Sequence, residues 1–112
     1  MGDLQITSEQ VDGALVLRLA GEPDMMSGEP MEAMVNSTVA AKPAKVVIDL
    51  SGMKYISSLV AGKLVALQTF LKRNGGRAVI AGATDTVKTA LTRMRVVTVI
   101  PIHDTMDQAL AS

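Results

Sequence analysis

The apolar positions between residues 46 and 76 change period once, and that change divides the stretch in two. Val46-Val47-Ile48 and Leu50 form a nearly unbroken apolar run. Such a run predicts an inner strand covered on both faces. A short turn and two adjacent serines, Ser57 and Ser58, follow it. The pattern then lengthens to helical spacing, with Leu59, Gly62, Val65, Ala66, Thr69 and Phe70 on one side. Asn74-Gly75-Gly76 is a strong helix stop. Lys72 and Arg73 stand in the last turn, where positive charge complements the helix dipole.

Residues 4–11 predict a short strand with imperfect alternation, and Asp12-Gly13 a hairpin turn. Over residues 14–19, Leu15, Leu17 and Leu19 alternate with Val16 and Arg18, the pattern of a strand with one buried face. Met31, Met34, Val35, Thr38 and Val39 recur at helical spacing. Either Asp24 or Ser27 is placed to cap that helix, and Pro30 marks its first turn or an interruption. The methionines of this stretch are read as core filling, since the flexible thioether suits irregular packing. Lys42-Pro43 breaks the chain.

Downstream, residues 77–82 predict another strand and residues 86–94 a short helix capped by Thr84 or Asp85. Residues 96–102 predict the last strand, with Pro101 placing part of it at an edge. Asp104 or Thr105 starts a final helix over residues 106–111. The predicted class is α/β: a mixed sheet flanked by helices, in the order β-β-α-β-α-β-α-β-α. Strand–helix–strand alternation implies parallel pairing and right-handed crossovers, and the opening hairpin makes the sheet mixed. The 112 residues suit a single domain spanning 1–112.

Composition narrows the function. The chain has no cysteine, which excludes disulfides and thiolate metal ligands and fits a reducing compartment. Tyr55 and Phe70 are the only aromatic residues, so stacking platforms for single-stranded nucleic acid are missing. Net charge is zero, which argues against direct nucleic-acid binding or adhesion to an anionic membrane. The charges are unevenly placed. Up to Ala41 there are seven acids and one base, and from Lys42 on ten bases and four acids, about −6 against +6. Either the fold interleaves the two parts, or it keeps a two-sided surface that orients a charged partner. No apolar run approaches the roughly 20 residues of a membrane helix, and no secretory signal is visible, so a cytoplasmic location without membrane insertion is expected.

The catalytic inventory is thin. His103 is the lone histidine, read as structural or exposed. Gly75-Gly76 follows a helix rather than opening one, the wrong order for a phosphate cradle. Asp49 ends the inner strand, where a turn or cap role is the plainer reading. No catalytic, metal or cofactor site is expected, and the chain is not read as an enzyme. Ser57 and Ser58 remain. One of them suits the N-cap. The other hydroxyl then has no local structural task. A phosphate placed there meets the positive end of a helix, so the domain tolerates it, while a docked partner must desolvate it.

Residues 46–58, the helix running to Asn74-Gly75-Gly76, the strand Ala78-Val79-Ile80-Ala81-Gly82 and the ending from Val99 to Leu110 together resemble the STAS domains, typified by bacterial anti-sigma factor antagonists. The resemblance covers nearly the whole chain and implies a STAS-like fold. It implies a partner that is an anti-sigma factor with serine kinase activity. That kinase phosphorylates a serine at the start of this helix, and the unphosphorylated antagonist binds it. Ser58 matches the acceptor by position, with Ser57 the less favoured choice. Ser57 stands where many members carry aspartate. The implied partner surface comprises Asp24, Ser57, Ser58, Leu59, Val60 and Lys63, and a weak homodimer is compatible with it. This chain departs from the family in having Leu59-Val60-Ala61 after the acceptor, where members commonly carry a small residue and glycine.

STAS-like domains also serve as unphosphorylated accessory subunits of transporters or of stress-signalling assemblies. In that reading Leu59 and Val60, exposed beside the serines, form an apolar docking patch. A small-molecule binder or enzyme is the third reading, and no constellation of residues supports it.

Overall fold

The computed structural model describes residues 4–112. Its sheet has five strands: β1 (Gln5–Val11), β2 (Ala14–Gly21), β3 (Lys45–Met53), β4 (Arg77–Ala81) and β5 (Ile102–His103). They lie in the order β1-β2-β3-β4-β5. The β1–β2 pair is antiparallel and the remaining pairs are parallel. Asp12 and Gly13 close the first hairpin with φ of 51° and 82°. Two successive positive φ values match the twist of the strands they join.

The helices are α1 (Gly28–Ala41), α2 (Ser58–Arg73), α3 (Asp85–Arg93) and α4 (Met106–Ala111). Buried side chains of α1, α2 and α3 join Leu17, Val46, Ile48, Leu50, Ala78 and Ile80 in the main core. Ala109 of α4 packs on the opposite face with Ala14, Val16, Val47, Val79 and Ala81. Both faces of β2 are therefore used. The sequence reading assigned it one buried face, yet Val16 is as buried as Leu17 and Leu19 because it joins the second apolar cluster, with Val47, Val79 and Ala109. Threonine hydroxyls cap α3 and α4: Thr84 accepts from the Val87 amide, and Thr105 forms a capping box with Gln108.

Two expectations are corrected. The last strand is much shorter than residues 96–102. Val96–Thr98 form a 3-10 turn, entered through Arg95 at a left-handed φ of 61°. β5 pairs with β4 through Ile80–Ile102 and Ala81–His103, and the Ile80 and Gly82 amides bond Pro101 O at 2.8 Å and His103 O at 3.1 Å. Val96 and Ile100 turn into the core, which bends this segment away from an extended path.

The buried face of α2 is also not the one predicted. Val60, Ala61, Leu64, Leu67, Gln68 and Leu71 face the core, while Leu59 and Phe70 are exposed. The polar Gln68 disguised this stripe. It is buried because its side chain stands in for a missing strand: Oε1 accepts the Ala78 amide at 2.8 Å, and Nε2 donates to Ala78 O and Val99 O, each at 3.0 Å. The edge of β4 beyond the reach of β5 is thereby satisfied.

Candidate functional site

β3 ends at Met53, and residues 54–57 carry the chain to the start of α2. Ser57 is the N-cap, with extended backbone at φ −97° and ψ 162°. Its hydroxyl accepts the Val60 amide at 3.2 Å, and its carbonyl accepts the Ala61 amide at 2.9 Å. The capping role left open between the two serines thus belongs to Ser57. Ser58 is the first helical residue and is exposed. Among the described residues its hydroxyl has no hydrogen-bond partner. It offers a nucleophilic oxygen to solvent at the positive end of a 16-residue helix.

The other expected surface residues divide. Leu59 is exposed, and Lys63 is half-buried and paired with Glu32 of α1. These two line a shallow depression of about 500 Å³ together with Met25, Met26, Glu29 and Glu32. Val60 does not belong to any docking patch: it is fully buried and packs in the main core. Helical geometry turns it about 100° from Leu59, onto the face that meets the sheet.

Asp24 is exposed but borders a separate recess with Leu4, Met26, Ser27 and Pro30. It is not a helix cap. Its carboxylate accepts the Met26 amide at 2.8 Å, and its own amide donates to the Ser27 hydroxyl at 2.9 Å. Ser27 holds the N-cap position of α1 without a side-chain bond to the helix. These two residues shape the β2–α1 loop, and Tyr55 reaches across to it, its hydroxyl 3.4 Å from Pro23 O.

The sequence reading missed Met25 and Met26. Met31 and Met34 fill core as expected, but Met25 is 97% exposed and Met26 77%. Their place before the first helical residue, outside the helical period, was the available signal.

Two ion pairs join the acidic and basic parts of the chain, Lys63 with Glu32 and Arg18 with Asp49, while Arg18–Glu9 and Lys88–Asp104 each lie within one part. Asp49 serves the turn after β3, accepting the Ser51 amide at 2.9 Å. His103 is half-buried in β5. Among the described residues no group of three or more His, Cys, Asp or Glu side chains is arranged to hold a metal. No described helix is long and apolar enough to cross a membrane. A depression of about 690 Å³ lies between β1, β2 and α1 and is lined without a titratable side chain.

Several solved structures share this fold. An anti-sigma factor antagonist from Mycobacterium paratuberculosis matches with a TM-score of 0.88 at 25% identity, over 97% of this chain and 92% of that one. The Bacillus cell fate determinant SpoIIAA in its phosphorylated form matches at 0.72 and 16% identity, over 96% and 97%. The STAS domain of a SulP transporter from Vibrio cholerae matches at 0.75 and 15% identity, over 92% and 82%. The STAS domain model matches residues 5–109, and on that match this chain belongs to the STAS domain family.

Proposed function

We propose that this chain is a regulator of the anti-sigma factor antagonist type, acting in the cytoplasm and switched off by phosphorylation of Ser58. One observation carries the reading: Ser57 supplies the cap, so the neighbouring Ser58 hydroxyl is exposed and structurally unemployed. The partner is an anti-sigma factor with serine kinase activity, and the chain itself performs no catalysis. The Ser58 oxygen attacks the γ-phosphorus of the partner's ATP. The bond to the β–γ bridging oxygen breaks, ADP leaves, and the serine proton passes to a base of the partner.

The added phosphate brings about −1.5 to −2 charges. At the start of α2 the helix dipole favours it by up to about 2 kcal/mol. In a docked interface it must be desolvated, which opposes binding. Intact-mass measurement after incubation with the kinase and ATP tests the reading. One phosphate is expected, and none in Ser58→Ala. No incorporation, together with partner binding indifferent to Ser58→Asp, overturns it.

A second reading, an unphosphorylated accessory subunit of a transporter or stress-signalling complex, is favoured by the exposed apolar side chains of Leu59, Met25 and Met26 around one depression, which need no phosphate to dock a partner. Co-purification of a transporter ATPase in place of a kinase would select it.

A further inference from the structure

The described methionines fall into two groups. Met31 and Met53 are fully buried, Met34 nearly so, and Met94 and Met106 partly buried. Met25 and Met26 stand almost wholly in solvent, side by side, before α1. Both line the depression that also receives Lys63 and Leu59, the residue next to Ser58. With no cysteine in the chain, no thiol competes for an oxidant.

We propose that Met25 and Met26 form a reversible sulfoxidation site that makes polar the apolar part of the depression lined by Leu59, the residue after Ser58. The oxidant is a peroxide. A sulfur lone pair attacks one peroxide oxygen, the O–O bond breaks and an S–O bond forms. The second oxygen leaves as hydroxide and takes the proton of the new S–OH group, giving water and the neutral sulfoxide. Sulfur loses two electrons and the peroxide gains them. A thiol-dependent methionine sulfoxide reductase reverses the step.

The fold is built to survive this change. Neither side chain belongs to the core. The turn that carries them is held from its backbone, by the Met26 amide on Asp24 at 2.8 Å and the Ser27 amide on Asp24 O at 3.1 Å. Oxidation therefore alters the surface without loosening what supports it. Resting on the function proposed above, the sulfoxide form releases the anti-sigma kinase by a route independent of Ser58.

Hydrogen peroxide treatment of the whole chain, followed by peptide mass mapping, tests the site. Sulfoxide is expected at Met25 and Met26 at least about tenfold faster than at Met31, Met34 and Met53, because reactivity follows exposure. Retention on a hydrophobic-interaction column should fall after treatment and return with the reductase. In the Met25→Leu/Met26→Leu variant, retention should not move on treatment, whatever its starting value. Even oxidation of all methionines, or retention that falls equally in the double variant, overturns the site. These two measurements need no partner, so they decide it even where the untreated protein binds no kinase, a result that would instead overturn the proposed function. Where it does bind, affinity should weaken at least about tenfold on treatment. An unchanged affinity overturns the regulatory role.

Discussion

The Ser57 hydroxyl accepts the Val60 amide at 3.2 Å, and that one bond separates the tasks of two adjacent, chemically identical side chains. Ser57 is committed to starting α2, and Ser58 is left facing solvent. Ser57→Ala should therefore lower unfolding free energy by about 1 kcal/mol, the usual effect of losing a serine cap. Ser58→Ala should change it by less than about 0.5 kcal/mol, as for an exposed residue with no partner. Urea denaturation of the two variants measures both.

Ser58→Asp probes charge without a kinase. A carboxylate in the first turn meets the positive end of the helix, so stability should hold or rise by about 0.3–1 kcal/mol. Affinity for the kinase partner should fall at the same time. Calorimetric binding beside thermal unfolding would display the opposed signs, and a variant that lost both together would be misfolded rather than switched.

Leu59 and Val60 are neighbours in sequence with different fates. Val60→Ala should cost about 2 kcal/mol, because it opens space in the main core. Leu59→Ala should leave stability within about 0.5 kcal/mol and act on docking alone. Chemical denaturation and partner titration of both variants separate packing from recognition.

Gln68→Leu should cost about 3 kcal/mol despite being an apolar change in a buried place. The leucine fills the volume but leaves the Ala78 amide and carbonyl and the Val99 carbonyl without the side chain that satisfies them. Faster hydrogen exchange at the Ala78 amide, relative to that of Val79, would locate the damage.

Lys88 and Asp104 are 2.6 Å apart and both are exposed. Their hydrogen bond, and then their charge attraction, lower the Asp104 pKa and raise that of Lys88. The Asp104 contribution is present above the unfolded carboxylate pKa and is lost as pH falls through the folded value. The Lys88 contribution is present below the unfolded ammonium pKa and is lost as pH rises through the folded value. In Lys88→Met, the Asp104 midpoint followed by NMR should move up, and the acid-side slope of stability against pH should flatten.

Much of the fold was legible because its signals are local. Asp12-Gly13 dictates the first hairpin through φ, the Val46-Val47-Ile48 run marks an inner strand, and Asn74-Gly75-Gly76 stops α2. The adjacent serines at a strand-to-helix turn were equally visible. What stayed hidden depends on contacts remote in sequence. A glutamine reads as surface until Ala78 and Val99 are brought to it, and this concealed which stripe of α2 faces inward.

By itself, then, the chain determined its element order, its family pattern and the place where two adjacent serines open a helix, since backbone preference and apolar period act over a few residues. Only the tertiary structure decided which serine caps, which neighbour of Ser58 is buried, and that Met25 and Met26 border Leu59. Those choices follow from how α1 and α2 pack side by side on one sheet, which no short-range pattern encodes.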